Sequence, residues 1–263
     1  MELEVEINED GYNSREDVAR AADDIFGGLV YVKEDGSLDY GVEIVTHPMT
    51  FRYFMDHFPW EGLGELDRMG CRSTSDTGIH VHMSRAGFGG PIHIYNFMKL
   101  WYRNETRITR LAHRNAHWGA FRPDSRDAIK YSCKGQRPAD GHSLHRYSAL
   151  NTYPADTIEA RVFRSSLDPV RVKSALGLCD ATVEYTRNLR VPDVVAGAWN
   201  WRQFRRWVQQ PERTDRYAAL VQEMGARNRR SRPAVAVTEP AYPYDGWPSF
   251  PPLAVTVTDE LLT

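Results

Sequence analysis

The sequence predicts an α+β fold built on a mainly antiparallel sheet, and three observations carry that expectation. Strict strand-like alternation recurs at Glu2 to Ile7, Gly78 to Ser84 and Thr157 to Phe163, each with one polar and one apolar face. Between Leu29 to Lys33 and Leu38 to Thr46, the turn Glu34-Asp35-Gly36-Ser37 marks a hairpin, which pairs its strands antiparallel. Helical periodicity then fills the stretches between the strands and most of the chain after Asp168.

With 263 residues, 41% hydrophobic and 26% charged, the chain has the composition of an ordinary globular protein with room for one large core. No apolar run reaches membrane-spanning length, and the first residues lack the basic-then-apolar pattern of a signal peptide. A soluble, cytoplasmic protein is therefore expected. Cys71, Cys133 and Cys179 are odd in number and far apart, so neither a disulfide framework nor a CxxC metal knuckle is expected. The net charge of -2 hides an asymmetry: residues 1–70 hold 17 Asp and Glu against 5 Lys and Arg, whereas residues 199–232 hold 9 Arg against 3 acidic residues. Such an acidic front can hold divalent cations, and the basic rear is either a solvated helix face or a surface for phosphate, nucleic acid or an acidic partner.

Along the first strand Glu2, Glu4 and Glu6 share one face, opposite Leu3, Val5 and Ile7. Like charges aligned in this way repel, so they need solvent or a bound cation. Ser14 and Asp17 form a capping-box signal for a helix from about Arg15 to Phe26, closed by Gly27-Gly28. After the hairpin, His47-Pro48 breaks the sheet, Thr50 to Phe58 reads as a short helix and Pro59 to Asp76 as loop. Ile92 to Arg114 reads as one long helix, with Phe97, Leu100, Trp101, Ile108 and Leu111 toward the core and Arg103, Arg107, Arg110 and Arg114 toward solvent.

From Asn115 to Leu144 periodicity is weak, which suggests a long loop of the kind that serves as a lid. Strand signals return at His145 to Leu150. Asp168-Pro169 starts a helix to about Leu189, with Asp as N-cap and Pro at the first position. A further helix begins near Trp199, carrying Trp201, Phe204, Trp207 and Val208 among Arg202, Arg205 and Arg206. Beyond Arg232 the chain is rich in Pro, Tyr and Trp without clear period.

The chemistry-bearing residues fall on the strands. In Gly78-Ile79-His80-Val81-His82 the alternation places His80 and His82 on one face, where two imidazole nitrogens suit a metal ion or a polyphosphate with its metal, and Gly78 permits close approach. On Thr157-Ile158-Glu159-Ala160-Arg161, Glu159 and Arg161 share a face, as a structural pair or as holders of a metal and a phosphate.

Read in order, Glu2-Leu3-Glu4, Gly41-Val42-Glu43, Gly78-Ile79-His80-Val81-His82 and Thr157-Ile158-Glu159-Ala160-Arg161 resemble the amidoligases, relatives of glutamine synthetase and glutamate-cysteine ligase. The resemblance spans roughly residues 1–168. It implies a curved antiparallel sheet forming an open funnel, with helices packed outside and an ATP and metal site on the concave face. It also implies an ATP-dependent carboxylate-amine ligase that joins small-molecule or peptide carboxylates to amines through an acyl phosphate, using two or three Mg2+ ions for which Mn2+ could substitute.

By the same resemblance Glu2, Glu4, Asp35, Glu43, His80 and Glu159 are metal ligands, and His82 approaches the nucleotide. Arg161 meets the transferred phosphoryl group and, with Glu159, forms the catalytic pair. Arg146 is a phosphate contact, and Asn151 and Arg164 contact substrate. The Asn115 to Leu144 segment is then the lid that keeps water from the intermediate. Residues 1–190 would form the catalytic domain, and 191–263 a helical extension and tail packed on it. The family's first strand usually follows a glycine, whereas this sequence opens directly at Met1-Glu2, so either the strand is truncated or the start has been called late, and Ala160 stands where an aromatic residue is common.

Two other classes compete. A zinc hydrolase can begin from a His-x-His strand, but it needs a third nitrogen or sulfur ligand, and His93, His113, His117, His142 and His145 lack the spacing. A nucleic-acid-binding module could use the Arg- and Trp-rich helix near 199–216 with the Arg227 to Arg232 cluster, but that leaves the carboxylate strands unexplained.

Overall fold

The computed structural model describes residues 1–8, 13–114, 119–135 and 147–230. Its centre is an open sheet whose strand order is β2-β3-β1-β5-β7-β6, made of β1 (Glu2–Ile7), β2 (Val30–Lys33), β3 (Gly41–Thr46), β5 (Gly78–Ser84), β6 (Leu150–Asn151) and β7 (Thr157–Arg164). Every pairing between these strands is antiparallel. The short strand β4 (Cys71–Arg72) joins the far end of β1 opposite Glu6 and Ile7.

Alternation fixes the two faces of this sheet. Leu3, Val5, Ile7, Val42, Ile44, Ile79, Val81, Ile158 and Ala160 are buried in one continuous core. Helices α1 (Arg15–Phe26), α5 (Glu105–Ala112) and α7 (Pro169–Thr186) pack against the strands and close that core. The opposite face is polar, and its residues are described below.

The ends of α1 follow the sequence signals. Ser14 Oγ accepts from the Asp17 amide at 3.2 Å while Asp17 returns the bond to the Ser14 amide at 2.9 Å. Gly27 closes the helix at φ +57°, a left-handed conformation that glycine adopts without a Cβ penalty. Thr50 caps α2 (Phe51–His57), and Asp168 caps α7 by accepting from the Val170 amide at 2.9 Å.

Several expectations change. The stretch from Pro59 to Asp76 holds a helix, α3 (Gly62–Arg68), and strand β4. Leu63 and Leu66 of α3 are fully buried. The single helix foreseen from Ile92 to Arg114 is two, α4 (Pro91–Arg103) and α5, because the Asn104 amide donates to the carbonyls of Leu100 and Trp199 at 2.6 and 2.8 Å and turns the chain. Within the foreseen loop from Asn115, residues 123–132 form α6 (Pro123–Ser132), which starts on a proline and buries Ala128 and Ile129 near α4. Residues 115–118 and 136–144 of that segment lie outside the described residues, as do 145–146 and 231–263. Of the strand foreseen from His145, the described part bridges Ser148 to Ala120 and runs on as β6.

After α7 come α8 (Val191–Val195), α9 (Trp201–Val208), α10 (Pro211–Thr214) and α11 (Ala218–Arg230). Phe204, Val208, Tyr217, Leu220 and Met224 from these helices belong to the same core as the sheet. Trp201 and Trp207 pack partly buried against that core. None of the described helices is long and apolar enough to cross a membrane.

His93, on α4, illustrates a histidine used for packing. Its Nε2 lies 2.8 Å from the Val183 carbonyl, which it can reach only as a donor, and its Nδ1 accepts from the Gly89 amide at 3.0 Å. Burial, with Arg187 nearby, holds its pKa below the usual value despite the carbonyl bond. The unfolded chain therefore takes the proton first, and stability falls as pH drops below about 6.5. Urea unfolding between about pH 8 and pH 5 should show this loss, and His93→Gln should make the profile flatter.

Candidate metal centre

The opposite face of the sheet carries the polar side chains, with Val45 as an apolar neighbour beside Glu2. Antiparallel register sets Glu43 directly opposite both Glu4 and Lys33, and Glu2 opposite His80. It also sets His82 opposite Glu159, and Glu159 opposite Asn151. Seven side chains that can hold a cation converge there. Glu2, Glu43 and His80 bring ligand atoms within 4.8 Å of one another, and so do Glu2, His82 and Glu159, and Glu4, Asp35 and Glu43. All six residues that the resemblance implies as metal ligands thus lie in one place, with His82 beside them.

The imidazoles link the carboxylates. His80 is 3% exposed, with Nδ1 at 3.1 Å from Glu2 and 3.6 Å from Glu159, and Nε2 at 3.5 Å from Glu4. His82 turns Nδ1 to the Thr157 hydroxyl at 3.2 Å and Nε2 toward Glu2 at 3.3 Å. Neither Nε2 has a hydrogen-bond partner, although both are buried.

Three further groups hold individual carboxylates. Glu4 accepts from the Gly78 amide at 2.5 Å. Glu159 accepts from Asn151 Nδ2 at 2.6 Å and pairs with Arg161 Nη1. Lys33 Nζ lies 2.8 Å from Glu43 and 3.6 Å from Glu2.

Crowding splits the acidities. Burial pushes the Glu43 carboxyl up, and the Glu2 charge adds to that. Lys33 opposes both, and the outcome is a pKa pushed up to about 7. Burial also pushes Glu2 upward, but the close approach of the His80 and His82 imidazoles outweighs it and holds this carboxyl well below its usual range. Asp35 is lowered as well, because the amide and hydroxyl of Ser37 overcome its burial. At neutral pH the face therefore carries fewer charges than its residue count implies, and a cation can take the place of the shared proton.

The donor set mixes oxygen and nitrogen. Five carboxylates and two imidazoles suit a hard divalent ion such as Mg2+ or Mn2+. Among the described residues no further histidine or cysteine joins these groups. His93 is committed to backbone groups, His113 lies 3.0 Å from Glu223, and the three cysteines are buried and enter none of the ligand groups. His117, His142 and His145 lie outside the described residues.

No protein-family model matches this chain, and no curated protein matches it. Its geometry and residue chemistry are therefore the grounds for a functional reading.

The remaining site residues divide. Asn151 is buried beside Glu159 with both ends of its amide engaged, since Oδ1 accepts from the Tyr153 amide at 3.0 Å. That makes it a brace for Glu159. Arg164, opposite Gly78, is exposed, and among the described residues no site carboxylate pairs with it. Arg146 lies outside the described residues.

Arg114 departs from its expected solvent face. It is buried, and its guanidinium donates to the carbonyls of Asp76, Arg161 and Phe163 at 2.7, 3.3 and 3.5 Å. A Cβ at Gly78 would stand 2.4 Å from Arg114 Nη1 and 3.2 Å from His80 Nε2, so this glycine admits the guanidinium at the edge of the site. Sequence reasoning also missed Lys33, although hairpin register places it opposite Glu43.

If a divalent ion binds between Glu2, Glu43 and His80, it must displace the Glu43 proton. Affinity for Mn2+ should rise as pH increases from about 6 to 8, with proton release near neutrality. Calorimetric titration in two buffers of different ionisation enthalpy measures that release.

Proposed function

We propose that this chain is an ATP-dependent carboxylate-amine ligase that uses Mg2+, with Mn2+ as a substitute, to form an amide through an acyl phosphate. The observation that supports this reading best is the single polar face on which Glu2, Glu4, Asp35, Glu43, His80 and Glu159 crowd together with Arg161 alongside. It is the arrangement that the resemblance to amidoligases implies, with the polar face as the inner wall of a funnel open to ATP. Oxygen-rich cation sites that leave room for phosphate are the usual way proteins hold Mg2+ with a nucleotide.

In this reading bound Mg2+ supplies the Lewis-acid charge that offsets negative charge on the transferred γ-phosphoryl group. The protein's own part is positioning. Glu2, Glu4, Asp35, Glu43, His80 and Glu159 hold the cations, and His82 faces the nucleotide. Arg161, with its plane over the Tyr147 ring at 5.9 Å and its Nε without a partner, turns its fork from Glu159 to the phosphoryl oxygens.

The substrate carboxylate attacks the γ-phosphorus, the bond to ADP breaks and an acyl phosphate forms. The amine then attacks the acyl carbon and expels inorganic phosphate, losing a proton as the amide forms. Water must be kept from the acyl phosphate until the amine arrives.

The test is ADP release from Mg-ATP across a panel of carboxylates and amines, including amino acids, polyamines and peptides, with mass spectrometry to detect the amide. Glu159→Gln should lower turnover by at least about a hundredfold while leaving the melting temperature close to wild type, because it removes a charge from the site and preserves side-chain size. Arg161→Lys should be impaired to a similar degree, since a point charge does not reproduce a planar fork. Wild-type rates in either variant would remove that residue from the mechanism. Salt-dependent DNA or RNA binding without turnover would favour the nucleic-acid reading.

A further inference from the structure

Lys33 ends the edge strand β2, and the hairpin register sets it directly across from Glu43. Its ammonium lies 2.8 Å from Glu43 Oε2 and 3.6 Å from Glu2 Oε1. Those two residues, together with His80, form one of the three groups whose ligand atoms lie within 4.8 Å of one another. The lysine thus holds two of the carboxylates that a cation would use. Beside them, His80 is nine-tenths buried or more, with Nδ1 3.1 Å from Glu2, while its Nε2, 3.5 Å from Glu4, has no hydrogen-bond partner, which leaves a buried ring nitrogen among these carboxylates for a ligand.

The members of this cluster differ in their freedom to move. The Glu43 side chain is 2% exposed and the His80 side chain 3%, whereas the Lys33 side chain is 44% exposed on a four-carbon stem at the sheet edge. A divalent ion and an ammonium cannot share the same carboxylate oxygens, because like charges at contact distance repel. The lysine is the partner with room to leave.

We propose that Lys33 is an internal counter-cation of the metal site: its ammonium holds Glu2 and Glu43 together before a divalent ion binds and swings out to solvent when the ion arrives. This inference rests on the reading of the polar face as a metal centre. Lys33 lowers the mutual repulsion of buried Glu43 and half-buried Glu2 and, by competing for them, sets the metal concentration at which this position fills. The guanidinium of Arg161 pairs with Glu159, both on β7, while Lys33 lies against Glu2 and Glu43.

Two measurements on the full chain test the proposal, with Mn2+ as the probe. Calorimetric titration compares Mn2+ affinity in wild type and Lys33→Met, and removal of the competing ammonium should tighten binding roughly fivefold. Acetylation by a water-soluble amine reagent, read at each lysine by peptide mass spectrometry, should become several times faster at Lys33 when Mn2+ is added to wild type, with Lys173 unchanged as a control. Equal or weaker Mn2+ binding by Lys33→Met overturns the proposal. Tighter binding without faster acetylation also overturns it, since the ammonium then acts at a distance and stays in place. If Mn2+ binds neither protein, the metal reading itself fails and this inference falls with it.

Discussion

The rest of the structure depends on the mutual repulsion of carboxylates that the sheet forces together. Glu4 and Glu43 are direct cross-strand partners, and Glu2 is one pleat away on the same face. Like charges placed in this way destabilise a sheet unless something neutralises them. The described residues around them act as partial remedies: the Gly78 amide on Glu4, the imidazoles of His80 and His82 on Glu2, Lys33 on Glu43 and the Asn151 and Arg161 pair on Glu159. A neutral pair of apolar residues at Glu4 and Glu43 would be a simpler way to build this sheet. The proposed cation would neutralise these charges directly.

The fold keeps that repulsion from opening the sheet. β1 is central, with β3 on one side and β5 on the other, so its carboxylates stand in the middle of the polar face. Its other side is anchored by Leu3, Val5 and Ile7, which are almost completely buried. Between β5 and β7 the register shifts: Ile79 faces Phe163 while Val81 faces Ala160, so β7 carries one extra residue. Arg114 binds the carbonyls of Arg161 and Phe163, on either side of the extra residue, and those bonds hold the irregular stretch from which Arg161 projects. The bulge and its guanidinium brace thereby link the end of α5 to the placement of a site residue.

Elements whose determinants are local were legible in the sequence. The three-glutamate alternation of β1, the capping box of α1, the histidine strand and the Asp168-Pro169 start of α7 each declare themselves within a few residues, and they stand where the pattern puts them. The failures have distant causes. The break at Asn104 needs the carbonyl of Trp199, and the burial of Arg114 needs carbonyls from β7 together with the missing side chain at Gly78. Helix α3 was concealed by its two glycines and α6 by the scarcity of apolar residues along it. Among the site residues, the convergence of the carboxylates followed from pleat and strand order. The Lys33 contact required the exact hairpin register, and the role of Asn151 as a brace required knowing which strand lies beside β7.

The central claim is that the polar face is a divalent-cation site. Crystals of the wild-type protein soaked in Mn2+ and measured for anomalous scattering test it most directly. The account predicts anomalous density among Glu2, Glu43 and His80, bonded to the buried carboxylates. Density confined to exposed surface carboxylates, or none on the polar face, would contradict it.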